Sequence, residues 1–270
     1  MQGGGGGTFG AAASFRLRLH PVGPVHTFVQ SFTVARDAAI RILAAWQEWA
    51  PRTAREITCL LSLRAASQGR LSLRLAGQSV GNPQQLAFEL SKFASMAGQQ
   101  ATATPRTGSF FEAVDRFSGG WNYESKFSKG KSDFVLESLP AAALERMVDG
   151  IAARPPNELM VILDAYRGAV ADRKPDETAF AFRDALYCIQ YYTSWFNPAL
   201  SQRRLQSMHD YHAALRPFMP GFAYVNYCDL DLPNWPQAYW RNNLQRLAAI
   251  KRTTDPANLF RHAQSVPVTA

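Results

Sequence analysis

The chain has 270 residues, 47% of them hydrophobic, which is enough for one large or two small domains with a substantial core and excludes wholesale disorder. No stretch approaches the roughly 20 consecutive apolar residues that a membrane helix needs. No basic segment followed by an apolar one opens the chain either, so neither a membrane span nor a signal peptide is expected in it, and its compartment stays unknown. Lys and Arg total 29 against 21 acidic residues, a net charge of +8.

These positive residues are dispersed, so we interpret them as a solvated basic surface and expect no nucleic-acid partner. The three cysteines, Cys59, Cys188 and Cys228, lie far apart and form no CxxC pair. Neither a disulfide framework nor a zinc site is expected from that spacing. His209 and His212 have helical i, i+3 spacing but no convincing third ligand, so we interpret them as surface residues of a helix and predict no metal site.

Periodicity and turn residues predict the elements of the first half of the chain. Asn82 is suited to cap a helix whose first position is Pro83, and Pro51 is suited to end one. The predicted order is a strand at 14–19, a turn at His20–Pro24, a strand at 25–32, a helix at 36–49, a hairpin of Glu56–Leu63 and Arg70–Gly77, a helix from Asn82 to about Ala97, a loop at Gln99–Gly108 and a short helix at Ser109–Phe117 ended by Gly119 and Gly120.

The second half continues the mixture of strands and helices. Its predicted order is a strand at Ser132–Leu136, a helix at Pro140–Ala153, strands at Glu158–Leu163 and Ala185–Trp195, a helix at Ser201–Leu215, a strand at Phe222–Tyr227 and a helix at Pro236–Arg252. Hairpin signals and half-buried alternation favour an antiparallel sheet. The predicted fold class is therefore α+β, with an antiparallel sheet covered by helices on one face.

Five consecutive glycines, Gly3–Gly7, precede Thr8, Phe9 and Gly10 near the start. Glycine lets backbone N–H groups approach a phosphate because no side chain intervenes. The segment fits neither the Walker pattern nor the GxGxxG pattern, so by itself it is more consistent with a flexible linker than with a phosphate site.

The end of the chain carries several motifs in sequence. They are Tyr-Val-Asn-Tyr-Cys-Asp-Leu-Asp at 224–231, Tyr239-Trp240, Asn243, Arg246-Leu247, Lys251, Asp255-Pro256, Asn258, Phe260 and Gln264-Ser265-Val266-Pro267. This order resembles the C-terminal signature of the berberine-bridge-enzyme-like family of FAD-linked oxidases. The glycine segment, the stretch Phe127–Phe134 and the stretch Ala179–Trp195 resemble further family segments, so the resemblance covers essentially the whole chain.

The resemblance implies the substrate domain of the vanillyl-alcohol-oxidase-like flavoprotein fold. Residues 1–19 would be the tail of the FAD-binding domain, 20–217 the substrate-binding domain, and 218–270 a strand-helix segment returning to the FAD domain. The family's long N-terminal flavin domain, with its covalent flavin attachments, is expected to be missing here. The FAD domain would then be incomplete, and the chain alone is not expected to retain FAD.

The resemblance also implies a reaction: an alcohol or amine C–H gives hydride to the flavin, a base takes the proton, and oxygen is the expected acceptor. The family's catalytic tyrosine matches either Tyr224 or Tyr227, with a slight preference for Tyr224. Strand alternation would place these two tyrosines on opposite faces.

Alternation within the strand Leu186–Tyr192 puts Cys188, Gln190 and Tyr192 on one face, which the resemblance implies is the face toward the substrate. Cys188 stands where plant members commonly have Lys. The predicted FAD contacts, conditional on a flavin domain, are Gly4, Gly5, Gly6, Gly7, Phe9, Gly10 and Asn226. Asp229 and Asp231 are expected to brace the following loop.

Three functions remain open from the sequence. The first is part of an FAD-dependent oxidoreductase acting on a sugar, alkaloid or polyketide-like small molecule, either as a truncated piece of a longer protein or with a separate flavin domain as a partner. The second is a stand-alone small-molecule-binding remnant without redox activity. The third, carried only by the basic charge, is nucleic-acid binding, which salt-sensitive DNA binding would reveal.

Overall fold

A single antiparallel sheet of seven strands organises the described part of the chain, residues 3–118 and 126–269 of the computed structural model. Its spatial order is β4-β1-β3-β2-β6-β7-β5. The strands are β1 (Val25–Val34), β2 (Ile57–Ala65), β3 (Leu71–Ser79), β4 (Arg106–Gly108), β5 (Phe127–Val135), β6 (Met160–Ala165) and β7 (Tyr187–Trp195).

Helices cover one face of this sheet. They are α1 (Arg36–Trp49), α2 (Pro83–Met96), α4 (Ala141–Ala152) and α5 (Ser201–Leu215), while α3 (Phe110–Ser118) lies beside β1. Alternate strand residues such as Leu63, Leu73 and Tyr191 join helix residues such as Trp46 and Met147 in the largest core. The remaining strand positions form the opposite face, hereafter the open face. The predicted α+β class with one helix-covered sheet face is confirmed.

The C-terminal part packs as a smaller unit around α6 (Trp235–Trp240) and α7 (Leu244–Thr254). Tyr239, Trp240, Leu247 and Val266 are buried together there. The domain boundaries at residues 19 and 217 remain predictions.

Most predicted elements are present, and α1 coincides with its predicted bounds. The hairpin forms with Leu63 opposite Leu73, and the Asn82 side chain accepts hydrogen bonds from Gln84 N and Gln85 N at the start of α2. The predicted break at Gly119 and Gly120 lies outside the described residues.

Two predicted strands do not form. Residues 14–19 have no ladder partner among the described residues, and their apolar side chains are exposed, Phe15 by 81%. Residues 222–227 also form no strand. Phe134 N donates to Phe222 O, after which the segment turns, with Tyr227 N donating to Tyr224 O. Alternation alone does not make a strand where the neighbouring backbone offers only one ladder bond.

Three further differences are local. The predicted helix 236–252 is interrupted at Arg241, whose φ is +47°, so α6 and α7 are separate. The predicted loop 99–108 contributes the short edge strand β4. His212, expected at the surface, is buried, and its Nε2 lies 2.9 Å from Asp133 Oδ2; a buried carboxylate needs such partners.

Candidate functional site

The sheet register brings residues from three strands into one row on the open face. Asp164 of β6 pairs with Cys188 of β7, which pairs with Phe134 of β5. The next row contains Ile162, Gln190 and Ser132. Because antiparallel partners share a face, these six side chains form one surface.

The tyrosine-bearing segment lies over this surface. Ser132 Oγ accepts a hydrogen bond from Tyr224 N at 2.9 Å. The rings of Tyr224 and Tyr227 contact edge to face at 5.0 Å between centroids. The segment is a turn and not a strand, so both tyrosines reach one aromatic cluster with Phe134 and Phe182, and the expected separation onto opposite faces is wrong.

The Tyr227 hydroxyl donates to Asp164 Oδ2 at 3.3 Å. Burial raises the pKa of Asp164 to about 6, and the Tyr227 hydrogen bond partly offsets this effect. Burial and the neighbouring Asp164 charge raise the pKa of Tyr227 above its ordinary value. A phenol and a carboxylate so arranged can pass a proton from one to the other.

Tyr224 has a different partner. Its hydroxyl accepts a hydrogen bond from Asn226 Nδ2 at 2.8 Å. The two tyrosines therefore occupy different chemical environments, and only Tyr227 is hydrogen-bonded to a carboxylate.

The three predicted substrate-facing residues of β7 share the open face but differ in access. Cys188 has no exposed surface and is covered by the aromatic cluster, and burial raises its thiol pKa. Gln190 and Tyr192 are partly exposed. In this structure, Gln190 and Tyr192 are thus the two of the three with surface available to a ligand.

The glycine segment borders the tyrosine segment. A cavity of about 310 Å³ is lined by Gly4, Gly5, Gly6, Asn226 and Trp240, among others. Gly5 has φ +85°, and a Cβ there would lie 3.0 Å from Val225 Cγ2. The predicted cofactor residues Gly4, Gly5, Gly6 and Asn226 therefore meet at one cavity. Gly7, Phe9 and Gly10 lie along the same segment and are not among its lining residues.

A buried lysine holds this segment in place. Lys251 of α7 is fully buried, and its Nζ donates to Thr8 O at 2.6 Å and to Phe260 O at 2.7 Å. It also pairs with Asp255. The conformation after the glycines is thus tied to the C-terminal unit.

A second ionic cluster joins the C-terminal unit to β5. Lys129 and Lys131 lie 2.7 Å from Asp229 Oδ1 and Oδ2, respectively, and both also contact Asp231. Asp229 further accepts a hydrogen bond from Asp231 N. The two aspartates therefore brace the loop and anchor it to the sheet.

Asp164 was missed by the sequence reasoning. It follows the apolar run of β6, and the predicted strand stopped one residue before it. Its acidic side chain at the end of an apolar strand was the available signal, but only the register shows that it lies opposite Cys188 and beneath Tyr227.

Within residues 3–118 and 126–269, no group of three or more metal-ligating side chains comes together. Among the same residues, no helix combines the length and apolar character required to span a bilayer.

Residues 223–267, which carry the tyrosine segment, α6 and α7, match the family model described as "Berberine and berberine like". The chain is 31% identical to an uncharacterized FAD-linked oxidoreductase, YgaK, of Bacillus subtilis over 266 residues, 98% of this chain and 58% of that protein. Residues 223–267 thus match a berberine-like domain, and nearly the whole chain is similar to an FAD-linked oxidoreductase.

The chain is also similar to a plant enzyme and to a solved structure. Monolignol oxidoreductase AtBBE-like 13 of Arabidopsis thaliana is 27% identical over 99% of this chain and 55% of its own length. The solved structure of berberine bridge enzyme from Eschscholzia californica superposes with a TM-score of 0.89 at 23% identity, over 98% of this chain and 60% of that one, and shows the shared fold. The chain spans somewhat more than half the length of the relatives that it matches.

The B. subtilis relative is FAD-linked, and the glycine cavity has features that such a cofactor requires. The glycine cavity offers backbone without side chains, the Asn226 amide and the Trp240 ring, a set suited to one side of a flat, hydrogen-bonding ring system. Its volume of about 310 Å³ is at the low end for ligand pockets. The described residues therefore fit as one wall of an FAD site.

Proposed function

We propose that this chain forms the substrate-facing part of an FAD-dependent oxidoreductase that oxidises an alcohol or amine C–H. The observation that carries the proposal is the hydrogen bond between Asp164 on the open face and Tyr227 in the segment that lies over it. Asn226, one residue before Tyr227, lines that cavity. The proposed proton-transfer residue, Tyr227, and the proposed cofactor contact, Asn226, are thus neighbours in the chain.

FAD bound along the glycine segment would supply the two-electron acceptor for the substrate hydride. The proton is handled by this chain's own residues. Tyr227 Oη takes the proton from the substrate O–H or N–H and passes its own proton to Asp164 Oδ2. The raised pKa of Tyr227 keeps it a phenol, so Tyr227 relays the proton and the Asp164 carboxylate holds it at the end of the step.

Gln190 is proposed to orient the substrate. Its amide can donate to one substrate oxygen and accept from another. It lies on the row next to Asp164 and is partly exposed. The sheet therefore presents the base and the orienting amide on one surface. Oxygen is proposed as the electron acceptor, and a sugar, alkaloid or polyketide-like alcohol as the substrate class.

The test begins with the protein isolated from its source, because the chain spans 58% of its B. subtilis relative. Its intact mass and flavin absorbance are recorded on one sample. The flavin-containing protein is then mixed anaerobically with a panel of alcohols and amines. We expect at least one to bleach the oxidised-flavin absorbance, and we expect air to restore it. A flavin-free protein that no added flavin source reconstitutes would contradict the proposal.

A further inference from the structure

A second cavity opens on the sheet at one side of the proposed reaction site. Its volume is about 440 Å³, and its lining includes Arg64, Lys126, Met160, Tyr192 and Ser194. The strand register brings three of these residues side by side, because Arg64 of β2 pairs with Met160 of β6, which pairs with Tyr192 of β7. Tyr192 is two residues from Gln190, about 7 Å along the strand.

Arg64 presents its charge to this cavity. Its Nε donates to the Met160 Sδ at 2.9 Å, so the guanidinium lies against the Met160 side chain. Among the described residues, neither terminal nitrogen has a hydrogen-bond or ion-pair partner. A planar guanidinium whose two terminal nitrogens are unpartnered matches the two oxygens of a carboxylate.

Lys126 supplies a second positive charge. Its Nζ lies 5.9 Å from the centre of the Tyr192 ring. Within the described ranges it forms no ion pair. The acidic residue nearest in sequence to the cavity lining, Glu158, is directed elsewhere: its Oε1 accepts from Ser207 Oγ at 2.7 Å, and its other oxygen pairs with Arg203. The cavity therefore holds two cations that no described carboxylate neutralises.

The remaining lining completes a recognition surface. The Tyr192 ring and the Met160 thioether provide apolar contact, and the hydroxyl groups of Tyr192 and Ser194 add hydrogen-bond capacity. An inorganic anion would use only the cations, whereas an aromatic carboxylate would use both the cations and the ring.

We propose that this cavity binds the carboxylate of an aromatic or similarly flat acid, placing the acid group of the substrate away from the oxidised carbon. This inference rests on the proposed function only where it assigns the bound acid to the substrate. The binding itself requires this chain's residues and no flavin. It narrows the substrate class to molecules with a negative charge on one end and an oxidisable C–H on the other.

Benzoate is the probe, with benzamide as its neutral counterpart and inorganic phosphate as the charge-only counterpart. Each is titrated into the purified chain by calorimetry or by ligand-observed NMR. Benzoate is expected to bind at least tenfold more tightly than benzamide or phosphate. A tenfold difference in affinity is about the effect of one hydrogen bond to a charged group.

The variants Arg64→Gln and Lys126→Gln are each expected to weaken benzoate binding about tenfold. Arg52→Gln is the matched control, because Arg52 is exposed on the helix-covered side and pairs with Glu48. Equal binding of benzoate and benzamide, phosphate binding as tight as benzoate, or unchanged binding in the Arg64 and Lys126 variants would overturn the inference.

Failure of the proposed function can be separated from failure of this inference. Asp164→Asn is expected to abolish flavin bleaching in the flavin-containing protein and to leave benzoate affinity unchanged. Arg64→Gln is expected to raise KM for a carboxylated substrate and to leave kcat and the KM for its neutral amide nearly unchanged. Benzoate binding to a protein that oxidises nothing would support the cavity assignment and contradict the oxidoreductase proposal.

Discussion

Tyr227 and Asp164 come from segments 63 residues apart, yet the Tyr227 hydroxyl donates to the Asp164 carboxylate at 3.3 Å. The contact exists because β6 pairs with β7 on the sheet, while the turn at 224–227 lies over the same surface. It places a partly buried carboxylate directly behind a phenol.

The first prediction separates the two candidate tyrosines. Tyr227→Phe and Asp164→Asn should each lower the flavin reduction rate of the flavin-containing protein by about 10²–10⁴-fold, the usual contribution of a positioned base. Tyr224→Phe should have a smaller effect, because Tyr224 is bonded to Asn226 and not to a carboxylate. Stopped-flow bleaching measures all three, with Tyr211→Phe as the control on the helix-covered side. A larger loss in the Tyr224 variant would assign the base to Tyr224.

The second prediction concerns pH and activity. Asp164 must be ionised to accept the Tyr227 proton, so flavin reduction should rise with pH through about 6, the raised pKa of Asp164. The measurement is the pH profile of the reduction rate. In Asp164→Asn the rise near pH 6 should be absent, and its persistence would show that another group controls it.

The third prediction concerns pH and stability. A carboxyl whose pKa is raised from 3.8 to about 6 binds its proton more tightly in the folded state. Its contribution to the free energy of unfolding is therefore largest below pH 3.8 and is lost as pH rises to about 6. At pH 7, Asp164→Asn should be more stable than the parent by up to about 3 kcal/mol, and the two should converge near pH 4.

Urea unfolding of both proteins across this pH range measures that difference. Other carboxylates, Asp149 and Glu158 among them, have lowered pKa values, so their contributions to stability increase with pH. These contributions are the same in both proteins and cancel in the difference between them. A difference that does not change between pH 4 and 7 would contradict the assignment of the raised pKa to Asp164.

The fourth prediction concerns the buried lysine. Lys251→Met should lower the free energy of unfolding by about 3 kcal/mol, because it leaves Asp255 buried without its cation. It should also increase amide exchange in residues 4–10, since Thr8 O loses its donor. Arg252→Met, one position along α7 and exposed, is the control. Equal exchange in both variants would show that Lys251 does not hold the glycine segment.

The fifth prediction concerns Gly3. Its φ is +89°, and a Cβ there would lie 2.7 Å from Phe180 Cβ. Gly3→Ala should therefore cost about 1–3 kcal/mol or displace the segment. Gly23→Ala, where nothing lies within 4 Å of the added carbon, should be nearly neutral. Thermal unfolding of both variants provides the comparison.

Local sequence determined most of the secondary structure. Pro83 after Asn82, the apolar spacing of α1 and the hairpin around Ser67–Gly69 each act within a few residues, so their signals are complete in the sequence. The ordered C-terminal motifs likewise indicated the family, because a series of short patterns in a fixed order does not depend on contacts.

Long-range pairing decided the site. The stretch 222–227 alternates like a strand, but the sheet edge gives it one ladder bond, so it turns and brings Tyr224 and Tyr227 together. Residues 14–19 alternate equally well and find no partner strand among the described residues.

The sequence by itself thus determined most of the helices, the hairpin and the C-terminal motif order, because propensity, capping and periodicity are local properties. Only the tertiary structure decided that Asp164 lies behind Tyr227, that Cys188 is buried while Gln190 is accessible, and that Arg64 shares a cavity with Tyr192. Each of these facts depends on which strands are neighbours and on the register in which they pair. The sequence of one strand does not determine either, because the pairing energy depends on both segments together.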